Sequence, residues 1–289
     1  MVAEGIYMKS VVVTGASTGI GWGVSKVLIK KGFRVFGSVR KQADADRLQK
    51  EFGANFTPLL FDVTDARAVG AAAEKVAGLL GGEPLAGLVN NAGIAVSGPL
   101  LYIDVDEFRQ QLEVNITGPL IVSQAFAPLL MAQKTQKAGR IVMISSVGGK
   151  NAFPFIGPYN ASKFGLEGMS EALRRELQLF GIDVIVIAPG SVATPIWDKA
   201  EQVDVSRYAN TPYATQLNKF RDLMLTTGRK GLKPERLGQA VWKALTTAKP
   251  RTRYVVTPEK IQNFMVNNLP KRTVDRLIGG QLGLLPKKG

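Results

Sequence analysis

Cysteine and histidine are both absent from this 289-residue chain. Without cysteine there is no disulfide, no thiolate nucleophile and no cysteine metal site. Without histidine the usual zinc sites, the Ser-His-Asp triad and an imidazole general base are excluded too. Proton transfer must then use Tyr, Lys, Asp, Glu, Ser or water, and no metal centre is expected. No uncharged apolar run reaches the roughly 18 residues that would span a bilayer. The opening MVAEGIYMKS lacks the basic segment, apolar run and small-residue cleavage site of a signal peptide, so the cytoplasm is the expected location. Linkers rich in Pro, Gly or Ser are missing, as is any repeat with a period of about 20 to 50 residues. One domain over 1–289 is the expectation, since α/β domains often reach about 250 residues as one unit.

Negative charge is also scarce. Asp and Glu number 23 against 37 Lys and Arg, a formal charge of +14. The excess is concentrated at one end: 229–289 holds 14 basic residues and 3 acidic ones. Such a tail could contact an anionic membrane surface or nucleic acid. A stacking platform for bases is not expected, because Trp242, Tyr254 and Phe264 lie far apart. The bland reading is a solvated basic surface. With 45% hydrophobic and 21% charged residues the composition is that of a folded globular chain.

What is present reads as alternating strands and helices. The apolar run at 10–15 ends in glycine and suits a buried parallel strand. A helix is predicted over 20–31 and a second strand over 34–39, which completes a βαβ unit. Further short apolar strands are predicted at 57–62, 85–90, 139–145 and 183–188, with a seventh at 253–256. Each is separated from the next by enough chain for a helix, so the predicted fold is α/β, a doubly wound parallel sheet of Rossmann type. The segment 191–233, with Pro195, Trp197 and Pro212, interrupts the rhythm as a candidate substrate loop. A C-terminal extension follows at 258–289.

Between the first strand and first helix stands Thr14-Gly15-Ala16-Ser17-Thr18-Gly19-Ile20-Gly21. Glycines permit a tight turn and close approach to a pyrophosphate, and a helix N-terminus favours its charge. The spacing G-x-x-x-G-x-G departs from the commoner G-x-G-x-x-G. A plain Gly-rich turn is the alternative, but the position favours a phosphate cradle of Gly15, Ser17, Thr18, Gly19, Ile20 and Gly21. At the end of the second strand, where an acid would hold the free ribose of NAD, stand Val39 and Arg40. The planar fork of arginine matches a 2′-phosphate, so NADP is the expected cofactor, with Ser17 and Lys41 as helpers and NAD as the alternative. Asp62 and Val63 end the third strand, facing an adenine. Asn91, Ala92 and Gly93 end the fourth, where small residues let a ligand lie against backbone.

Tyr159 and Lys163 stand at i and i+4, on one face of a helix. A tyrosine with pKa near about 10 is a poor base at neutral pH, and a neighbouring cation should lower it. Packing plus a surface amine would also explain the pair. Ser146 lies 13 positions upstream at a strand end, where its hydroxyl could donate to a carbonyl oxygen gaining charge.

Together these residues resemble the classical short-chain dehydrogenase/reductase family. The matches are T-G-x-x-x-G-I-G at 14–21, N-N-A-G at 90–93, Asn115, I-S-S at 144–146, Y-x-x-x-K at 159–163 and Pro189-Gly190. The resemblance covers most of the first 195 residues and implies hydride transfer between NADP(H) and a carbonyl or alcohol. It implies that Tyr159 gives or takes the proton and Ser146 orients the oxygen. Lys163 would bind the nicotinamide ribose, Asn115 would hold a relay water, and Val192 and Thr194 would anchor the carboxamide. It also implies a homodimer or homotetramer. Phe153, Phe155 and Trp197, with Ile156, Ile196 and Tyr213, suggest an apolar substrate pocket, although ordinary packing would explain them equally. Beyond Thr194 the match weakens. Leu269, Val274, Leu277, Ile278, Leu282 and Leu285 give the extension an apolar face beside Lys271, Arg272 and Arg276. A lid or core packing is its expected role, with membrane or subunit contact as alternatives. A non-catalytic NADP(H)-binding redox sensor is the competing function.

Overall fold

The computed structural model describes residues 8–131 and 137–286; the N-terminal stretch 1–7 and Lys287 and Lys288 of the basic tail lie outside these limits. Seven strands form one sheet: β1 (Ser10–Val13), β2 (Arg34–Val39), β3 (Phe56–Leu60), β4 (Gly87–Asn90), β5 (Arg140–Ile144), β6 (Asp183–Pro189) and β7 (Arg253–Val256). Their order is β3-β2-β1-β4-β5-β6-β7, and every pairing is parallel.

The apolar runs form strands because both faces are covered. Along β1 the side chains alternate between two cores. Val12 joins Phe36, Leu59, Leu88, Ile141 and Met143 on one face. Val11 and Val13 join Val35, Val89, Val142 and Ile144 on the other. Helices α3 (Ala66–Leu80), α5 (Gly118–Leu130) and α6 (Gly157–Glu176) cover the first face. The second is covered by α1 (Gly19–Lys30), α2 (Gln42–Phe52) and α9 (Pro234–Thr246). In α3 the buried residues Val69, Ala72, Ala73 and Val76 follow the i, i+3, i+4, i+7 spacing of one helical face. Asp65 caps its first turn by accepting from the Ala68 amide, and Gly81 ends it in the left-handed conformation. Fully burying one such aliphatic side chain contributes about 1.5 to 3 kcal/mol.

Helices α1 and α9 touch backbone to backbone. A Cβ at Gly23 would meet Pro234 at 2.6 Å, and one at Gly238 would meet the Gly23 carbonyl at 2.6 Å. Five predicted strands differ at their ends by one or two residues: β4 starts at Gly87, β5 spans Arg140–Ile144 and β6 runs on to Pro189. β3 begins one residue earlier and stops at Leu60, and β1 stops at Val13. There Thr14 takes over, its amide donating to the Val89 carbonyl at 3.0 Å while its hydroxyl accepts from the Asn91 and Ala92 amides.

The interrupted stretch 191–233 is more regular than its composition suggests. It contains α7 (Ile196–Glu201) and α8 (Ala214–Arg229), closed at its base by a bridge between Val192 and Leu232. The extension forms α10 (Lys260–Asn268) and α11 (Lys271–Leu282). A third apolar cluster, Phe155, Tyr208, Leu217, Phe220 and Leu282, with Ile278 and Leu284 beside it, packs α11 onto α8. Leu269, Leu277 and Leu285 of the same extension face solvent. No helix among the described residues is long and apolar enough to cross a membrane.

Candidate active site

The strand order reverses at β1, which lies between β2 and β4, and ligands of such sheets bind at the strand carboxyl ends beside that point. Four of the motifs meet there. The Gly15 loop follows β1, Asn91 to Gly93 follow β4, Ser146 follows β5 and Gly190 follows β6.

The first loop is shaped by close contacts. Gly15 and Gly19 have φ of +65° and +59°, and a Cβ at Gly21 would stand 2.2 Å from the Gly15 carbonyl oxygen. Thr18 begins α1 without a side-chain cap, so the amides of its first turn remain as donors. The Asn91 amide nitrogen donates to the Thr14 and Gly15 carbonyls at 2.9 and 3.2 Å, holding this loop against the end of β4. Thr194 approaches from the far side, 3.3 Å from where a Gly19 Cβ would be. These features fit a pyrophosphate: a positive helix end without a side-chain cap among the described residues, and glycines that let a ligand lie against the backbone.

Arg40 is 70% exposed and pairs with Asp62 across 3.5 Å, which leaves its guanidinium free to turn toward a phosphate. A second cation, Arg47 on α2, was not singled out by the sequence pattern. Its guanidinium donates to the Ser17 carbonyl at 2.6 Å, beside the same loop. Burial pushes the Asp62 carboxyl up, but hydrogen bonds from Thr64 and the charge of Arg40 outweigh it and hold it below the usual range. Val63 is buried in the core against Gly118, so only its main chain is left to face an adenine.

Tyr159, Lys163 and Ser146 come together as expected. Ser146 Oγ and the Tyr159 ring meet over Gly148, 3.3 and 3.7 Å from where its Cβ would stand, and the Ser146 oxygen accepts from the Gly148 amide at 3.0 Å. Lys163 is buried, with its ammonium donating to the Ile144 carbonyl at 2.9 Å and lying 5.7 Å from the Tyr159 ring centre. The expected effect on the phenol is not seen. Burial raises the Tyr159 pKa, opposed only partly by the neighbouring Ser146 hydroxyl, and Lys163 does not lower it. The cation itself pays for its burial. Its pKa falls to about 8, with Glu167 pulling the other way.

Asn115 sits in a π-helical turn (Glu113–Thr117) between α4 (Val105–Leu112) and α5. Its side chain accepts from the Ile94 amide at 2.9 Å and donates to the Ile94 carbonyl and to the Ser162 hydroxyl at 3.0 Å. It therefore ties the loop after Gly93 to the helix carrying Tyr159.

The apolar candidates divide. Phe155, with φ of +65°, turns into the third cluster with its ring 5.7 Å from Phe220. Trp197 lies against α8 at Gly228, its indole donating to the Val192 carbonyl at 2.7 Å. Phe153 offers its carbonyl to Asn160. Gly190 is pressed on Thr257, and Pro189 continues β6.

A profile of the short chain dehydrogenase family matches residues 9–204. The NADPH-dependent 3-dehydrocapnine reductase of Ornithobacterium rhinotracheale is 38% identical over 275 residues, covering 93% of this chain and 96% of that relative. Retinol dehydrogenase 5 of Mus musculus is 34% identical over 279 residues, 92% of this chain and 86% of the relative. A solved short chain dehydrogenase/reductase from Burkholderia phymatum, in complex with NAD, shares the fold. It covers 98% of this chain and 97% of its own at 21% identity, with a TM-score of 0.76.

Proposed function

The chain belongs to the short-chain dehydrogenase family and is an oxidoreductase of that type, and on this premise we propose that it uses NADP(H) to interconvert an apolar carbonyl compound and its alcohol. One observation carries the reading: the Ser146 hydroxyl and the Tyr159 ring meet over Gly148, 3.3 and 3.7 Å from where its Cβ would stand, with the buried Lys163 one turn further along α6. Two hydroxyls so placed can both reach one substrate oxygen.

When bound in the cradle, the nicotinamide supplies or accepts the hydride. The chain supplies the rest. Tyr159, protonated at neutral pH because burial raises its pKa, gives its proton to the developing alkoxide. Ser146 donates a second hydrogen bond to that oxygen. Lys163, fixed to the Ile144 carbonyl, would present its positive charge to the nicotinamide ribose. Arg40, with Arg47 nearby, favours a 2′-phosphate over a bare ribose. The names of the two relatives support NADPH and a lipophilic substrate.

Fluorescence titration with NADPH and NADH, followed by turnover on a panel of ketones and aldehydes, tests the reading. NADPH should bind more tightly, and a long-chain or polycyclic carbonyl should be reduced. Tyr159→Phe should cost about 10²- to 10⁴-fold in kcat while leaving NADPH affinity within twofold. Wild-type-like turnover in that variant would sink the mechanism.

A further inference from the structure

Tyr159 and Lys163 do not end the row of functional side chains on α6. One turn on, at the same spacing again, stands Glu167. Its carboxylate is held by Arg253, the first residue of β7, in a bidentate pair: Nε to Oε2 and Nη2 to Oε1, both at 2.9 Å. Side-chain exposures are 20% for Arg253 and 13% for Glu167, and in no other ion pair among the described residues are both partners so covered. A buried pair is weak evidence for stability alone, because desolvation offsets most of the attraction. The bonds around this one point to a use.

Glu167 Oε1 also accepts from the Ser145 hydroxyl at 2.9 Å, and Arg253 Nη2 donates to the Ser146 carbonyl at 3.4 Å. The turn after Ser146 is pressed onto the carboxylate so closely that a Cβ at Gly149 would stand 2.7 Å from both Glu167 Oε1 and Ser145 Oγ. The pair thus holds the Ser145 side chain and the Ser146 carbonyl, on either side of the Cα from which Ser146 must aim its hydroxyl. It also places a carboxylate one helical turn from the buried ammonium. The charged and titratable neighbours are Tyr159 and Glu167 of α6 for Lys163, and Lys163 of α6 and Arg253 of β7 for Glu167.

We propose that Glu167 and Arg253 are positioning residues for the reaction: they lock the Ser146 turn to α6 and hold a carboxylate one helical turn from the buried Lys163. Their catalytic meaning rests on the reading of Ser146, Tyr159 and Lys163 given above. Arg253 neutralises the Glu167 carboxylate in the bidentate pair, so its removal should expose Lys163 to more of that charge.

Two variants give opposite signs. The titration of Lys163 can be followed without substrate by NMR of protein labelled with ¹³C at lysine Cε, assigned with Lys163→Arg. In Glu167→Gln the Lys163 midpoint should move below its starting value of about 8, and in Arg253→Gln it should move above it. On the best carbonyl of the panel, Glu167→Gln should lower kcat about tenfold and change KM for NADPH less than twofold, a loss equal to ~1.4 kcal/mol of barrier. A purely structural pair would lower the unfolding temperature and leave both Lys163 midpoints in place, which would overturn the proposal. If Glu167→Gln does not fold, Arg253→Gln with an unmoved midpoint overturns it alone. Turnover surviving in Tyr159→Phe alongside shifted Lys163 midpoints would defeat the functional reading and leave the positioning role standing.

Discussion

At the scale of single residues, burial decides how the proton-transfer group titrates. Tyr159 stays protonated through the neutral range, and Lys163 loses its charge near pH 8, so the group is set to donate a proton at neutral pH. The sign of the pH dependence follows. Reduction needs protonated Tyr159 and charged Lys163, so kcat/KM for reduction should be flat below neutrality and fall as pH rises through about 8. Alcohol oxidation needs the tyrosinate and should rise on the alkaline side. Initial rates in both directions across a pH series check this, and a reduction rate that climbs through pH 8 would contradict it. The identities of Ser146, Tyr159 and Lys163 were legible in the sequence because their types and spacing are rare in combination. Their titration was not, because it depends on how much water the fold removes around each group. The partners Glu167, Arg253 and Arg47 were also hidden. A carboxylate on a helix and an arginine on a strand 86 positions apart carry no local sign that they meet.

At the scale of elements, the loop between β1 and α1 has the least freedom. A Cβ at Gly21 would sit 2.2 Å from the Gly15 carbonyl and 2.5 Å from the Asn91 amide nitrogen, both of them parts of the cradle. Gly21→Ala must therefore push the loop away from β4. NADPH affinity should fall at least about tenfold, or ~1.4 kcal/mol, read by fluorescence titration. The fold itself should persist, because the valines of β1 stay buried on both faces. Most strands were readable as apolar runs for that same reason. Their ends shifted by a residue or two where tertiary bonds intervened, as at Thr14. The segment 191–233 was read as an interruption because its prolines and polar residues hide two helices. What makes α8 helical in place is contact: Leu217 and Phe220 bury themselves against Phe155 and Leu282, residues from distant parts of the chain.

At the scale of the whole molecule, that third cluster joins the extension to the loop before the catalytic helix. Phe155 stands four positions before Tyr159, so the packing of α8 and α11 bears on the chain that leads into α6. Phe220→Ala should remove about 3 kcal/mol of local packing. It should speed proteolysis within 191–233 and raise KM for an apolar carbonyl while leaving NADPH affinity unchanged. Limited proteolysis and steady-state kinetics measure both, and an unchanged KM would separate the cluster from the substrate site. The sequence by itself determined the sheet, the glycine loop and the spacing of Ser146, Tyr159 and Lys163, the residues proposed to move the proton. Each of these rests on local pattern: an apolar run, a turn that only glycine can make, two side chains one helical turn apart. The tertiary structure alone decided which cations gather around the cradle, what holds Ser146 in aim and how the extension folds back. Those are contacts between residues far apart in the chain, and burial, which sets the charge on Lys163, exists only once they have formed.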